Sequence, residues 1–154
     1  MRLHSLLPLN RWLQGLLTVE DDLGSVVAGP WPCRGKADSQ DAANHGNPER
    51  YPTQPFGDHP YGAYQIAAVE PDKQPPRTFG PCFLLLDPIS GDALKAKQNG
   101  RVGIGAHGGD LGVVTTYGNL RATDGCLRTT NEAIAAIEAM SPQGWTYLCE
   151  ELKS

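Results

Sequence analysis

His107-Gly108-Gly109-Asp110 and, farther along, Thr123-Asp124-Gly125-Cys126-Leu127-Arg128 place an imidazole and a thiol at the two ends of one glycine-rich stretch. A thiol attacks as its thiolate, so a reactive cysteine needs a neighbouring base or a local positive potential. His107 supplies the base. For the potential, the spacing predicts a helix just after Cys126. Thr129 stands three residues before Glu132, as in a capping box, and Ala133, Ile134, Ile137 and Met140 share one face before Ser141-Pro142 ends the run. A thiolate near a helix N-terminus is favoured by the macrodipole and by unpaired N–H groups, which can also receive an oxyanion. Gly125 lets the chain turn tightly and leaves the sulfur uncovered, so a substrate carbonyl can approach with its oxygen aimed at amides near Gly125 and Cys126. Acyl transfer is the chemistry that uses such a set. Alone, a cysteine is more often a small buried apolar residue and a histidine a satisfied polar group. The functional reading rests on the two together, each beside glycine.

These groups need a scaffold. Residues 16–20 and 25–29 flank Asp21-Asp22-Leu23-Gly24 and read as a β-hairpin, and residues 64–69 as a strand followed by a Pro-rich turn. The apolar run 82–86 reads as a buried strand in which Cys82 is core, residues 92–98 as one or two helical turns, and residues 102–106 as a strand delivering His107 at its end. Residues 145–150 alternate as a closing strand with Trp145, Tyr147 and Cys149 on one face. From 30 to 62 the chain is rich in Pro, Gly, Asn and Asp and reads as a long ordered loop, with His45 and His59 as solvated loop histidines. A His-Cys metal site built on those two is the rival reading. Between base and nucleophile, residues 108–120 read as a flexible loop whose Thr115, Thr116 and Tyr117 can line the site, Tyr117 as a cleft wall or as a packed aromatic.

A chain of 154 residues is long enough for one domain with its own core. Eighteen glycines, thirteen prolines and 19% charged residues suit short strands and ordered loops rather than a helical bundle. A formal net charge of −4 without a Lys/Arg block argues against nucleic acid as the main partner and gives no attraction to an anionic membrane. The four cysteines, Cys33, Cys82, Cys126 and Cys149, show neither Cys-x-x-Cys nor a metal-ligand spacing, so no metal or other cofactor is indicated. With Cys126 free, at most one disulfide can form among the other three. Near the N-terminus, Pro8, Asn10 and Arg11 interrupt a short apolar stretch, too short for a secretory signal core, and no run approaches the length of a transmembrane segment.

His107-Gly108, a loop, and then Thr123-x-Gly125-Cys126-Leu127-Arg128 resembles the signature of the YkuD-type L,D-transpeptidases, in which His-Gly precedes Ser/Thr-His-Gly-Cys. Upstream, residues 51–58 with Pro60, Gly62 and Tyr64 look like the Pro-rich, Gly-x-Tyr stretch of that family, and Phe79-Gly80-Pro81 before an apolar strand also fits. The resemblance runs from about residue 16 to the C-terminus and is strongest over 107–128. It sets residues 1–15 apart as a segment of unknown role and makes 16–154 the catalytic domain. The fold it implies is mostly β (α+β), a β-sandwich or barrel with one main helix following the cysteine.

The activity the resemblance implies is attack on the amide after the L-centre of diaminopimelate in a peptidoglycan stem peptide, with the acyl group held as a thioester. A second stem amine then completes a cross-link, or water completes L,D-carboxypeptidation. Carried over by position, Cys126 is the nucleophile, His107 the general base, and Gly108 part of the turn presenting it. Gly125 supports the oxyanion hole, while Thr123 and Tyr117 line the substrate site. Arg128 contacts a substrate carboxylate, or is a surface charge or a partner of Glu132. Asp124 stands where the family has a second histidine. It would raise the thiol pKa, orient His107, bind the acceptor amine, or serve only as a solvated turn residue. The substrate places the activity in the periplasm or cell wall. Without a classical signal, that fits a phage lysis factor or a contact-delivered antibacterial effector with a cognate immunity or delivery partner, or an export segment outside this sequence. A reading from another class is a wall-binding or immunity-type module that keeps the fold and has lost catalysis, Asp124 being the mark of the loss.

Overall fold

Period-two alternation marks several of the strands of this chain. In the first strand, β1 (Arg2–Leu7), Leu3, Ser5 and Leu7 are buried while Arg2, His4 and Leu6 are half-buried. The computed structural model describes residues 1–109 and 120–153. Seven further strands follow: β2 (Gly15–Glu20), β3 (Val26–Arg34), β4 (Gly62–Glu70), β5 (Phe83–Pro88), β6 (Gly105–His107), β7 (Leu127–Thr129) and β8 (Thr146–Glu151). They close into a barrel in the order β1-β2-β3-β7-β6-β5-β4-β8. Two contacts are parallel, β1 with β8 and β6 with β7, and the remainder are antiparallel. The mostly-β expectation is met by this barrel, and the hairpin expected around residues 21–24 is the β2–β3 pair.

The inward residues make one core: Leu3, Leu17, Val19, Tyr64, Ile66, Leu84, Ala106, Leu127 and Tyr147 are all essentially inaccessible to solvent. Burying a side chain of Leu or Ile size stabilises the fold by about 1.5–3 kcal/mol. The interior also holds polar groups, which need partners there. The Ser5 and Tyr147 hydroxyls lie 2.6 Å apart, and Cys33 and Cys149 are free buried thiols.

Among the described residues four helices lie outside the strands: α1 (Ser39–Asn44), α2 (Pro76–Phe79), α3 (Gly91–Gln98) and α4 (Asn131–Glu138). α4 is the helix that follows the cysteine, as expected, and it is no longer than α3, each having eight residues. The cap of α4 is Thr130, whose hydroxyl accepts the Ala133 N–H at 3.0 Å. Thr129 was the expected cap but belongs to β7, where its hydroxyl donates to the Pro32 carbonyl at 2.8 Å. Two adjacent threonines offer the same side chain, and strand pairing of Cys33 with Thr129 takes the first. The expected loop from 30 to 62 holds the end of β3 and all of α1. The strand carrying His107 is shorter than its apolar run, starting at Gly105 and leaving Val102 87% exposed. Residues 2–7 are a barrel strand between β2 and β8, so the segment set apart by the resemblance is built into the same sheet.

Candidate active site

The parallel pairing of β6 and β7 decides the geometry. Ala106 aligns with Leu127 and His107 with Arg128, which places Cys126 beside Gly105. Ala106 and Leu127 point into the core. By alternation Gly105, His107, Cys126 and Arg128 face the other way, together with Phe83 and Leu85 of β5. These outward groups, Gly105 aside, line a cavity of about 460 Å³ with Lys73, Asp38, Asp41, Thr123 and Asp124 around it. The structure thus brings His107 and Cys126 to one cavity.

His107 is covered by aromatic rings, Phe79 edge-on at 5.1 Å and Phe83 stacked at 5.8 Å between centroids. Its Nδ1–H donates to the Gly108 carbonyl at 2.8 Å, since a carbonyl only accepts. The lone pair of a neutral ring is then on Nε2. Burial pushes its pKa down to about 4, helped by the Arg128 and Lys73 charges and opposed by the Gly108 and Thr78 carbonyls. Gly108 follows His107 at a crowded position. A Cβ there would strike the Asn131 side chain, and its carbonyl also accepts from Arg128 Nη1 at 2.8 Å.

Cys126 closes a turn pinned by Thr123, whose hydroxyl accepts the Gly125 N–H at 2.9 Å and donates to the Cys126 carbonyl at 2.8 Å. Thr123 is anchored in turn: its carbonyl accepts the Asp38 N–H at 2.6 Å. Gly125 has φ +108°, and any side chain there would meet the Arg101 guanidinium and the Gly57 carbonyl. Its N–H is taken by Thr123, whereas no hydrogen bond among the described residues uses the Cys126 N–H.

The sulfur is half-buried and donates to the Gly103 carbonyl at 3.7 Å; no hydrogen bond joins it to His107. Burial pushes the thiol pKa up. The Gly105 N–H, Arg101 and Arg128 pull it down, and Asp124 pushes it up. The positive potential expected from a helix N-terminus comes instead from these two guanidinium groups, because β7 stands between Cys126 and the start of α4.

Arg128 is 5% exposed and so is not a surface charge; among the described residues its Nε has no hydrogen-bond partner and no ion pair links it to Glu132. Asp124 is exposed and lies near Asp41 and Asp38, its carboxyl raised by partial burial and then by those two neighbours. It does not orient His107, which the Gly108 carbonyl holds. Thr115, Thr116 and Tyr117 lie outside the described residues.

The two loop histidines separate. His45 is exposed, stacked on Phe56 at 3.7 Å. His59 corrects the sequence reading: it is fully buried, with Nδ1 3.0 Å from the Gly125 carbonyl and Nε2 2.9 Å from the Tyr147 hydroxyl, and burial lowers its pKa to about 3. Among the described residues no three His, Cys, Asp or Glu side chains converge to hold a metal ion. Arg101 and Lys73 were missed. Arg101 donates to the carbonyls of Pro52, Gly57, Asp58 and Gly125, and backbone acceptors leave no trace in a residue pattern. His59 had a signal, lying within the 51–64 stretch that carries the family resemblance.

No family model and no curated protein matches this chain. Among solved structures it is similar to Bd1075 of Bdellovibrio bacteriovorus, with a TM-score of 0.55 and 13% sequence identity over 98% of this chain and 48% of that one. The likeness is one of fold, and the chain spans about half the length of the Bdellovibrio protein.

Proposed function

We propose that the protein is a cysteine acyltransferase or amidohydrolase acting on peptidoglycan stem peptides, of L,D-transpeptidase or L,D-carboxypeptidase type. The reading is carried by one observation: Cys126 and His107 face one cavity from adjacent parallel strands, with the His107 tautomer set by a backbone carbonyl. The resting pair is a neutral thiol and a neutral imidazole. Rotation of the thiol from the Gly103 carbonyl toward Nε2 precedes reaction, as contacts of an unliganded site tighten when substrate binds. As Sγ attacks the amide carbon, its proton passes to Nε2 and charge gathers on the carbonyl oxygen near the Cys126 N–H. The C–N bond then breaks, Nε2 returns the proton to the leaving amine, and a thioester remains. A stem amine, a free D-amino acid or water resolves it.

The charge of the cavity supports a zwitterionic substrate. Lys73, seated over the Phe83 ring at 4.7 Å, and Arg128 lie on the His107 side and suit a carboxylate. Asp38, Asp41 and Asp124 lie on the Cys126 side and suit an ammonium group. Such a substrate places the site of action in the periplasm or cell wall. Among the described residues no helix is long and apolar enough to cross a membrane.

Purified sacculi incubated with the protein, digested and analysed by mass spectrometry provide the test. New cross-links, shortened stems or exchanged terminal D-amino acids are expected, and Cys126→Ala should abolish them with the fold intact. A non-catalytic wall-binding module is the second reading, favoured by the raised thiol pKa and its bond to Gly103. Sacculus binding with unchanged muropeptides would select it.

A further inference from the structure

The turn that carries Cys126 is gripped from inside the barrel wall by two side chains that never reach the cavity's chemistry. The Gly125 carbonyl accepts from His59 Nδ1 at 3.0 Å and from Arg101 Nη2 at 3.2 Å. Both donors are buried and held. Arg101 is fixed by three other carbonyls, and the His59 carbonyl accepts from Arg11 Nη1 at 2.6 Å. The proton directions follow from the partners. Because Nδ1 must donate to a carbonyl, Nε2 accepts the Tyr147 O–H, and the Tyr147 oxygen accepts from Ser5. A relay of three hydrogen bonds, Ser5 to Tyr147 to His59 to Gly125, therefore points one way and ends on the carbonyl beside the nucleophile.

In a trans peptide the C=O and the following N–H lie in one plane and point in opposite directions. Fixing the Gly125 carbonyl toward the barrel interior fixes the Cys126 N–H away from it. We infer that His59 and Arg101 are positioning residues, which anchor and polarise the Gly125–Cys126 peptide so that its N–H is held as the oxyanion donor of the reaction. Two donors on one carbonyl, one of them cationic, draw electron density from the amide and strengthen its N–H as a donor. The absence of a side chain at Gly125 is what lets the guanidinium come this close. The inference rests on Cys126 being the nucleophile.

The test uses the full chain, a stem tetrapeptide as substrate and iodoacetamide as a thiol probe. In His59→Asn the amide nitrogen takes the place of Nδ1 and keeps the donor to Gly125. In His59→Gln the nitrogen reaches the Nε2 position and leaves that carbonyl contact unmade. His59→Gln is expected to lower kcat by about tenfold or more with KM unchanged, within the range seen when an oxyanion donor is weakened or lost. His59→Asn should keep kcat within about threefold of the parent, by the same hydrogen bond. Alkylation develops no oxyanion, so the rate of Cys126 modification should stay within about twofold in both variants. Should His59→Gln not fold, Tyr147→Phe removes only the upstream donor and is expected to lower kcat by about threefold with alkylation unchanged. Wild-type kcat in the folded disrupting variant, or a parallel fall in alkylation and acyl transfer, overturns the inference. Activity surviving in Cys126→Ala overturns the reading beneath it and is a separate result.

Discussion

Acidification should destabilise this protein through two imidazoles that the fold keeps neutral. Burial lowers the pKa of His59 to about 3 and that of His107 to about 4, whereas both take a proton near 6.5 once the chain opens. The unfolded state binds more protons throughout this interval, so stability is full above pH 6.5 and falls as pH drops toward the folded values. At pH 5 each histidine costs about 2 kcal/mol, and the pair about 4 kcal/mol, relative to pH 7.5. A domain of ordinary stability has only about 5–15 kcal/mol in total. Among the carboxylates, Glu20, held low by His4 and Arg2 against its burial, adds to the loss only near and below its unfolded value, while the raised Asp124 works in the opposite sense and offsets a part of it. Urea unfolding at pH 7.5, 6.5, 5.5 and 5.0 gives the slope, and His59→Asn should halve the total loss to about 2 kcal/mol by removing one of the two protons. A stability that changes by less than about 1 kcal/mol over that range, or a variant retaining the full dependence, would refute the burial argument.

The same His107 shift bears on turnover: kcat/KM should change by less than about threefold between pH 7 and 5, whereas an ordinary imidazole base would lose about thirtyfold. Asp124→Asn removes a charge that raises the thiol pKa, so the pH profile of Cys126 alkylation should move to lower pH; an unmoved profile would mean that the carboxylate does not act on the sulfur. Thr123→Val removes both hydroxyl bonds of the nucleophile turn and should cost about 1–3 kcal/mol in urea unfolding together with most of kcat. Gly125→Ala meets a positive φ and the Arg101 guanidinium at once, and should lower stability by about 2 kcal/mol or more, read from the same unfolding curves.

Much of the scaffold was legible because it is written in local alternation. The strands around residues 64–69 and 145–150, the hairpin and the helical turn at 92–98 each follow from period-two or helical spacing within a few residues. Thr129 misled because a capping rule sees only nearby chain, and the choice between Thr129 and Thr130 was made by β3, nearly a hundred residues away. The candidate site divides in the same manner. His107, Cys126 and the glycines beside them announce themselves by type and spacing. His59 looks like a solvated residue in a polar stretch because nothing local says that Tyr147 and Gly125 will enclose it. Arg101 reads as a lone cation because its partners are main-chain oxygens from distant residues.

The barrel is closed, and β1 completes the ring by pairing on both sides, with β2 and with β8. The ring is narrow at one seam: β3 pairs with β7 only through Cys33 and Arg34, so among the described residues the rest of β3 has a strand on one side only, the kind of margin that can recruit an extended peptide as an additional strand.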